Sequence, residues 1–144
     1  MTHQQAPNGS AWIGTSGWHY PHWAGGFYPE DTPAKAYLAY FSGFFETTEI
    51  NSTFYRLPTE ETLRGWVEQT PPGFVFACKA SQYITHRKKL KDPRESLSMF
   101  LQRIAFLGEK LGPILFQLPP RWRPNLRSLG ADAASVYHRR SGGV

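Results

Sequence analysis

Apolar residues recur along the chain in two alternating patterns, one typical of buried strands and one typical of helices. Short runs rich in β-branched and aromatic residues at 12–15, 47–51, 74–79 and 114–118 predict four strands. Between them, apolar side chains recur every three or four residues, which predicts one amphipathic helix in each interval. Because such an order requires right-handed crossovers, the pattern predicts an α/β fold with a parallel sheet.

The predicted helices begin and end at residues with known capping preferences. Thr32-Pro33, Pro58-Thr59 and Asp92-Pro93 predict the three starts, and Pro71-Pro72-Gly73 and Gly112-Pro113 predict the stops of the second and third helices. The apolar faces in chain order are Tyr37, Tyr40, Phe41 and Phe44, then Leu63, Trp66 and Val67, then Leu97, Phe100, Leu101, Ile104 and Leu111.

Polar side chains stand at the carboxyl ends of the predicted strands, where parallel sheets bind their ligands. Because side chains alternate between the two faces of a strand, Ile50, Phe76 and Phe116 are expected to face the helices. Their polar neighbours then face the other way, together with apolar Val75, Ala77 and Leu115. The expected group is Glu49, Asn51, Lys79 and Gln117, with Thr15, Ser16 and Trp18 nearby. We therefore expect one polar site at this end of the sheet.

Three residues, Glu49, Lys79 and His86, could perform chemistry, and each has a plainer interpretation. Glu49 is a candidate acid or base, but a buried glutamate and lysine can also simply neutralise one another. Lys79 could be an electrostatic anchor or, with a lowered pKa, a base or Schiff-base former. His86 could be an acid, a base, an anion contact, or a surface histidine beside lysines.

The long loop after the first strand is dense in aromatic rings that lack helical spacing. These rings could cover the strand ends as a lid or stacking platform, or they could form a small core of the loop itself. They are Trp18, Tyr20, Trp23, Phe27 and Tyr28.

Composition indicates a globular protein of one domain. The 144 residues are 40% hydrophobic, 15% aromatic and 19% charged, which disfavours disorder for most of the chain. The single cysteine, Cys78, excludes an internal disulfide framework. The polar N-terminus lacks the apolar core of a signal peptide, and no apolar run reaches the roughly 20 residues that cross a bilayer, so we expect a cytoplasmic protein without a membrane partner.

The net charge of +5 is concentrated in two clusters, which favours an anionic partner. One cluster lies in a predicted loop around His86 and spans residues 86–94; the other contains Arg121, Arg123 and Arg127. The residues that could hold nucleic-acid phosphates are Arg87, Lys88, Lys89 and Lys91. No metal-binding spacing, serine-nucleophile elbow or phosphate-binding glycine loop is visible, so no metal or cofactor is predicted.

Six motifs in order resemble one known family, the YecE-like proteins or domain of unknown function 72. They are IGTSGW from Ile13, FYP from Phe27, EINSTFY from Glu49, FACKA from Phe76, ITH from Ile84 and LGPILFQLPP from Leu111. The resemblance extends over residues 11–129 and implies a TIM-type α/β barrel with a pocket at the strand ends, but no established substrate or cofactor. The pocket residues it implies are Ser16, Trp18, Glu49, Asn51, Tyr55, Lys79, His86 and Gln117.

The chain departs from that family in length and in its last residues. A complete barrel needs about 250 residues and eight strands, whereas about four strands and three helices are predicted here. Residues 130–144 lack an apolar stripe and are expected to be a disordered tail unrelated to the family, as residues 1–10 are expected to be a disordered arm. Half a barrel has open edges at its first and fourth strands, so self-association or poor solubility is expected.

Three functional hypotheses follow from these residues. The first is an enzyme or enzyme remnant acting on a small polar or anionic substrate, with Glu49 as acid or base, Lys79 and His86 neutralising negative charge, and Asn51 and Gln117 orienting the substrate. The second is a nucleic-acid-binding or repair-type protein that uses the basic segment and stacks bases on aromatic rings. The third is an inactive fragment.

Overall fold

Four strands lie side by side in chain order and form one parallel sheet in the computed structural model of the protein, which describes residues 11–91 and 94–121. The strands are β1 (Gly14–Ser16), β2 (Thr47–Ile50), β3 (Val75–Lys79) and β4 (Leu111–Leu115). Ser16 pairs with Glu49, Glu49 pairs with Ala77, and Lys79 pairs with Leu115. The predicted α/β fold with a parallel sheet is therefore confirmed.

In the part of the chain that the structure describes, three α-helices and several shorter helical segments connect the strands. The helices are α1 (Tyr37–Phe41), α2 (Glu60–Gln69) and α3 (Arg94–Ile104). The 3₁₀ segments are Pro21–Trp23, Ala34–Ala36, Ser52–Phe54 and Ala105–Lys110, and a π-helical segment spans Tyr83–Arg87. The predicted start of α2 at Pro58-Thr59 is confirmed: Thr59 is the N-cap, and its side chain accepts a hydrogen bond of 3.2 Å from the backbone N–H of Thr62.

The first helix differs from the prediction at both ends. Thr32 is not its cap: the backbone is still extended at Pro33, with φ −68° and ψ 143°, and a 3₁₀ turn precedes α1. The helix then ends at Phe41, where Gly43 follows closely and disfavours further helix. Phe44 consequently lies outside the helix and is 63% exposed, so it does not belong to the buried face.

The third helix ends earlier than the sequence predicted, and the fourth strand begins earlier. Leu111 is the first residue of β4, because α3 ends at Ile104 and the following 3₁₀ segment is interrupted at Gly108, where φ is +58°. Gly112-Pro113 therefore lies inside β4 rather than ending a helix. From Phe76 to Cys78 β3 advances two residues while β4 advances three, so β4 is bulged there and tolerates a proline without an N–H.

Within residues 11–91 and 94–121, the hydrophobic core lies on one side of the sheet only. The residues of β2 and β3 that face the helices are buried, as are apolar residues of all three helices. This helix-facing side contains Thr48, Ile50, Phe74, Phe76, Cys78, Leu38, Phe41, Leu63, Leu97, Phe100 and Ile104. The opposite side, termed the open face, contains Ser16, Glu49, Val75, Ala77, Lys79 and Leu115.

The first strand begins two residues later than predicted and lies against β2 very closely. A side chain at Gly14 would overlap the carbonyl oxygen of Thr47, so glycine allows this approach. Ile13 lies before the strand and is 75% exposed. The predicted cap Asp92-Pro93, the predicted arm 1–10 and the part of the chain after residue 121, including Arg123, Arg127 and the predicted tail, lie outside the described residues.

Within the described residues, none of the helices combines the length and the apolar character that crossing a membrane requires.

Candidate functional site

A hydrogen bond joins the ends of the first two strands on the open face. The Ser16 hydroxyl donates to Glu49 Oε1 over 2.7 Å, which the register explains because the two residues are paired neighbours. On the other side of the same strands, the buried Thr48 hydroxyl donates to the carbonyl of Thr15 over 3.0 Å. Both predicted site residues, Ser16 and Glu49, are therefore held in fixed positions at the carboxyl end of the sheet.

Three of the predicted site residues line one cavity of about 400 Å³ at the ends of β1 and β2. Ser16, Trp18 and Asn51 contribute to its wall, and Leu38 and Ile50 form an apolar part of it. The remaining lining residues are Gly17, His19, Tyr20, Ala34, Lys35, Ser52, Trp66 and Gln69. The cavity thus extends from the strand ends towards the helices rather than across the open face.

The loop that carries Trp18 is fixed by a turn and by two tyrosines. Gly17 has φ +92°, a conformation that favours glycine, and the Tyr20 hydroxyl donates to the carbonyl of Ser16. The buried Tyr28 hydroxyl donates to the carbonyl of Trp18 over 2.5 Å. The Trp18 ring meets Trp66 edge-on, with the ring centroids 5.1 Å apart. Trp18 is therefore a preorganised wall of the cavity.

The sequence left two interpretations of the loop aromatics, a cover over the strand ends or a small core of the loop. In the structure some rings are part of a core and others line the cavity at the strand ends. Tyr28 is fully buried and stacks on Tyr37 with centroids 4.0 Å apart, and Trp23 and Phe27 pack against the same core. Burial, with a smaller contribution from Tyr37, raises the pKa of Tyr28 to about 12. These rings form part of the core, whereas Trp18 and Tyr20 line the cavity.

Asn51 has an unsatisfied polar atom. Its Oδ1 is buried and accepts no hydrogen bond, the one such side-chain atom among the residues that the structure describes. Asn51 directly follows β2 and has a helical backbone conformation, with φ −77° and ψ −25°. The short 3₁₀ segment after it turns the chain at the cavity.

A second group of predicted site residues surrounds Phe54, which the sequence analysis did not single out as a site residue. The Lys79 ammonium lies 4.8 Å from the centroid of the Phe54 ring, within the range of a cation–π interaction. The His86 ring contacts the same ring edge-on at 5.0 Å, and its Nδ1 lies 2.9 Å from the Thr85 hydroxyl. Phe54 thus brings Lys79 and His86 to one place.

The ends of β2 and β3 are joined through Thr53, which precedes Phe54 in the chain. The buried Thr53 hydroxyl lies 2.7 Å from the carbonyl oxygen of Ile50 and 2.6 Å from that of Lys79. Its single hydrogen can serve either acceptor. This contact positions the backbone of Lys79 relative to the segment that carries Phe54.

Glu49 and Lys79 do not form an ion pair. Within residues 11–91 and 94–121, the ion pair found is Arg64 with Glu60, at 2.8 Å on the surface of α2. Glu49 accepts instead from Ser16, and Lys79 lies against Phe54. Mutual neutralisation, one interpretation of these two residues, is therefore not observed.

Two further predicted residues are exposed. Tyr55 is 68% exposed, and its ring contacts Phe54 edge-on at 5.0 Å. Gln117 is exposed and follows the end of β4. Within the described ranges, no hydrogen bond connects Gln117 to Glu49, Asn51 or Lys79.

The basic segment around His86 is not the loop that the sequence predicted. A π-helical segment spans Tyr83–Arg87 and buries its apolar side, and the following turn has positive φ at Lys89 (48°) and Leu90 (60°). Leu90 is buried there, which explains the departure from a simple loop. Lys88 lies over the Tyr83 ring at 5.7 Å. Arg87, Lys89 and Lys91 are exposed.

The described residues give no structural support for a metal site or a reactive thiol. No group of three or more His, Cys, Asp and Glu side chains within them could hold a metal ion. Cys78 is buried on the helix-facing side, and this burial raises the pKa of its thiol to about 12. Such a thiol stays protonated and is a poor nucleophile.

The comparison with protein families finds one match over most of the chain. Residues 12–136 match the model of the DUF72 family, which is described as a protein of unknown function. The UPF0759 protein YecE of Escherichia coli K12 is 29% identical over 113 residues, and YunF of Bacillus subtilis 168 is 31% identical over 115 residues. These alignments cover 78% and 76% of this chain but 39% and 40% of the relatives, so the chain spans about two fifths of their length.

Solved structures of the same family have a similar fold. A DUF72 family protein from Thermotoga maritima is 30% identical, with a TM-score of 0.69 over 83% of this chain and 48% of its own. A second, from Enterococcus faecalis, is 21% identical with a TM-score of 0.59 over 74% of this chain and 45% of its own, and supports the fold alone.

Proposed function

Since the chain belongs to the DUF72 family, we propose that it is the first half of a TIM-type barrel that binds a small polar or anionic ligand at the carboxyl ends of its strands. Four parallel strands in unbroken chain order, with helices on one side, support the barrel part of this proposal. The matched structures contain about as much chain again, which leaves length for the remaining strands.

One observation carries the ligand-binding function. Ser16, Trp18 and Asn51, from the ends of two different strands, line a single cavity of about 400 Å³, which lies within the range of small-molecule sites. In parallel α/β sheets this end of the strands is where ligands bind. A fixed tryptophan is a feature that a ligand can use.

The residues around Phe54 provide the anionic preference. Lys79 lies against an aromatic ring beside His86 and has no carboxylate partner in the described part of the chain. An anionic group placed on the open face would meet both side chains. In a reaction, Glu49 would act as acid or base and Lys79 and His86 would stabilise negative charge, while Gln117 and Tyr55 would orient the substrate from the margin.

Titration with small anions tests this function. Phosphate and citrate are added to the ¹⁵N-labelled chain, and the backbone amide signals of Phe54, Lys79 and His86 are followed by NMR together with the indole N–H signals, including that of Trp18. We expect saturable shifts that Lys79→Met weakens at least about fivefold, because it keeps the stem on Phe54 and removes the charge. The double variant Lys88→Ala/Lys89→Ala is the control and should bind like wild type. Saturable binding that Lys79→Met leaves intact would refute the assignment.

A specific observation favours nucleic acid as a second candidate partner. Arg87, Lys89 and Lys91 are exposed, have no carboxylate partner within the described residues, and lie within five residues of one another in the chain. Phosphates of a single strand could bind there. Affinity for single-stranded DNA should then fall steeply with salt and be lost in the Lys88→Ala/Lys89→Ala variant, whereas a small ligand responds weakly to salt.

Self-association is the proposed state of the isolated chain. Among the described residues, β1 and β4 are the outer strands of the sheet and each has one edge without a partner strand, and Leu115 on the open face is 43% exposed. Edges and apolar faces of this kind pair with further strands. If neither ligand nor nucleic acid binds to the associated or the monomeric chain, the third candidate, an inactive fragment, stands.

A further inference from the structure

We propose that Thr85 is a positioning residue for His86: it keeps the single hydrogen of the neutral His86 ring on Nδ1, so that Nε2 is the nitrogen that takes up and releases a proton. The tautomer of a histidine is set by the hydrogen bond that one of its nitrogens makes, and here the partner is the Thr85 hydroxyl. The role of Nε2 towards a ligand rests on the proposed function, whereas the tautomer itself is measurable without a ligand.

The Thr85 hydroxyl has two close neighbours and only one hydrogen. Its Oγ1 lies 3.1 Å from the carbonyl oxygen of Ser81 and 2.9 Å from Nδ1 of His86. Thr85 is fully buried, so water cannot take part in either contact. Two hydrogen bonds need two hydrogens, and the carbonyl oxygen carries none. The second hydrogen therefore has to come from Nδ1.

The two tautomers of His86 differ in how they fill these contacts. With the hydrogen on Nδ1, His86 donates to Oγ1 and Oγ1 donates to the Ser81 carbonyl, so each contact contains one hydrogen. With the hydrogen on Nε2, the hydroxyl serves one contact, and in the other two lone pairs face each other at 3.1 or 2.9 Å. A threonine hydroxyl that donates to the carbonyl four residues earlier is also the usual arrangement in helical backbone, and Thr85 lies in the π-helical segment Tyr83–Arg87.

The second ring nitrogen of His86 is the one that a ligand can use. Among the residues that the structure describes, Nε2 has no hydrogen-bond partner, and the one buried side-chain atom without a partner belongs to Asn51 instead. Nε2 is therefore accessible in this part of the chain. Because Nδ1 donates to Thr85 in both the neutral and the charged ring, a proton taken from ligand or solvent forms its N–H bond at Nε2 and leaves the Thr85 contact unchanged.

This assignment gives the residues around Phe54 complementary roles. The Lys79 ammonium, 4.8 Å from the centroid of the Phe54 ring, can only donate hydrogen bonds. The His86 ring lies 5.0 Å from the same centroid, and its Nε2 accepts when the ring is neutral. An anion that also carries an O–H group, as hydrogen phosphate does, could use both: its charged oxygen at Lys79 and its O–H at Nε2.

Nitrogen-15 NMR of the histidine rings measures the tautomer, because ring nitrogens with and without a hydrogen resonate far apart. The chain has five histidines, and His86→Gln identifies the His86 signals by their loss. In the ligand-free wild type with a neutral ring, we expect the hydrogen on Nδ1. Thr85→Val should change the ratio of the two forms about tenfold towards Nε2, the size of one net hydrogen bond, since Nε2 can still donate to water. This variant should fold, because the Ser81 carbonyl keeps the backbone N–H groups of Ile84 and residue 85.

Two further variants separate positioning from folding. Thr85→Ser restores the hydroxyl and should give the wild-type ratio. Thr70→Val is the matched control, because the Thr70 hydroxyl also donates to the carbonyl four residues earlier, that of Trp66 over 3.0 Å, but lies beside Lys110 rather than a histidine. It should leave the ratio at His86 unchanged, whatever it does to stability.

A neutral wild-type ring with its hydrogen mainly on Nε2 would overturn the inference, as would a ratio that Thr85→Val leaves unchanged or that Thr70→Val changes equally. Added phosphate then tests the ligand role and should shift Nε2 more than Nδ1. If phosphate shifts no His86 signal although the hydrogen lies on Nδ1, the proposed anion binding fails and the tautomer assignment stands. If phosphate binds at Lys79 and His86 while the hydrogen lies on Nε2, only the tautomer assignment fails.

Discussion

The two sides of the sheet use the same strands and differ in what covers them. On the helix-facing side, Ile50, Phe76 and Cys78 are almost completely removed from solvent by the helices of this chain. On the open face, Val75 and Ala77 are only half-buried and Leu115 is exposed. Parallel sheets are normally covered on both faces. The comparison therefore distinguishes the face that this chain covers with its own helices from the face that other residues would have to cover.

The candidate site follows the same division. The cavity with Trp18 and Asn51 extends towards the covered side and is lined by residues from the strand ends, loops and helices of this chain. Glu49 and Lys79 lie on the open face, where each finds one partner, Ser16 and Phe54 respectively. The cavity therefore already has most of its walls in this chain, whereas Glu49 and Lys79 would contact any residues that cover the open face.

The largest expected effect comes from truncating neighbouring residues of β3 that face opposite sides. Phe76→Ala should lower the free energy of unfolding by about 3–5 kcal/mol, because it leaves a cavity in the core. Val75→Ala should lower it by about 1 kcal/mol, because Val75 is only half-buried. Urea unfolding at low protein concentration measures both losses.

Losses of equal size would contradict the assignment of the core to one side. An unfolding midpoint that depends on protein concentration for wild type but not for Val75→Ala would instead show that association covers the open face.

A charge on the open face tests self-association directly. Leu115→Lys places an ammonium at the end of edge strand β4 and should raise the dissociation constant of the associated chain at least about tenfold. The matched control is Met99→Lys, since Met99 is equally apolar and 59% exposed but lies on helix α3. Sedimentation velocity over a range of concentrations measures the distribution of species.

Met99→Lys should leave that distribution unchanged. A wild-type chain that sediments as one monomeric species at every concentration would refute the proposed association, whatever the variants do.

The sequence predicted those features that depend on alternation along one strand or on a local cap. Phe76 and Cys78 are buried while Ala77 between them is only half-buried, as the alternation of side chains along a strand predicts. The start of α2 at Pro58-Thr59 follows from the helix-start preferences of these two residues. The parallel order follows from the helices between strands. All three depend on residues close together in the chain.

Features that depend on contacts between distant segments were missed. Gly112-Pro113 is typical of a helix end, and only the pairing of β4 with β3 makes it part of a bulged edge strand. Phe54 gave no separate signal because its role comes from Lys79 and His86, which lie on later elements. Likewise, Trp66 was assigned to a helix face, and its edge-on contact with Trp18 depends on how a loop folds back.

The smallest expected effect is a loss of stability at alkaline pH. It is caused by two buried protonated groups, the Cys78 thiol and the Tyr28 hydroxyl. Burial raises the pKa of Cys78 from 9.0 and that of Tyr28 from 10.0, each to about 12. Because the folded chain holds these protons more tightly than the unfolded chain, their stabilising contribution is complete below about pH 9 and is lost as the pH rises towards 12. The free energy of unfolding should fall by about 1 kcal/mol between pH 7 and pH 9.5. Cys78→Ala should remove most of this decrease, and an unchanged slope in that variant would show that the thiol is not desolvated by the helices.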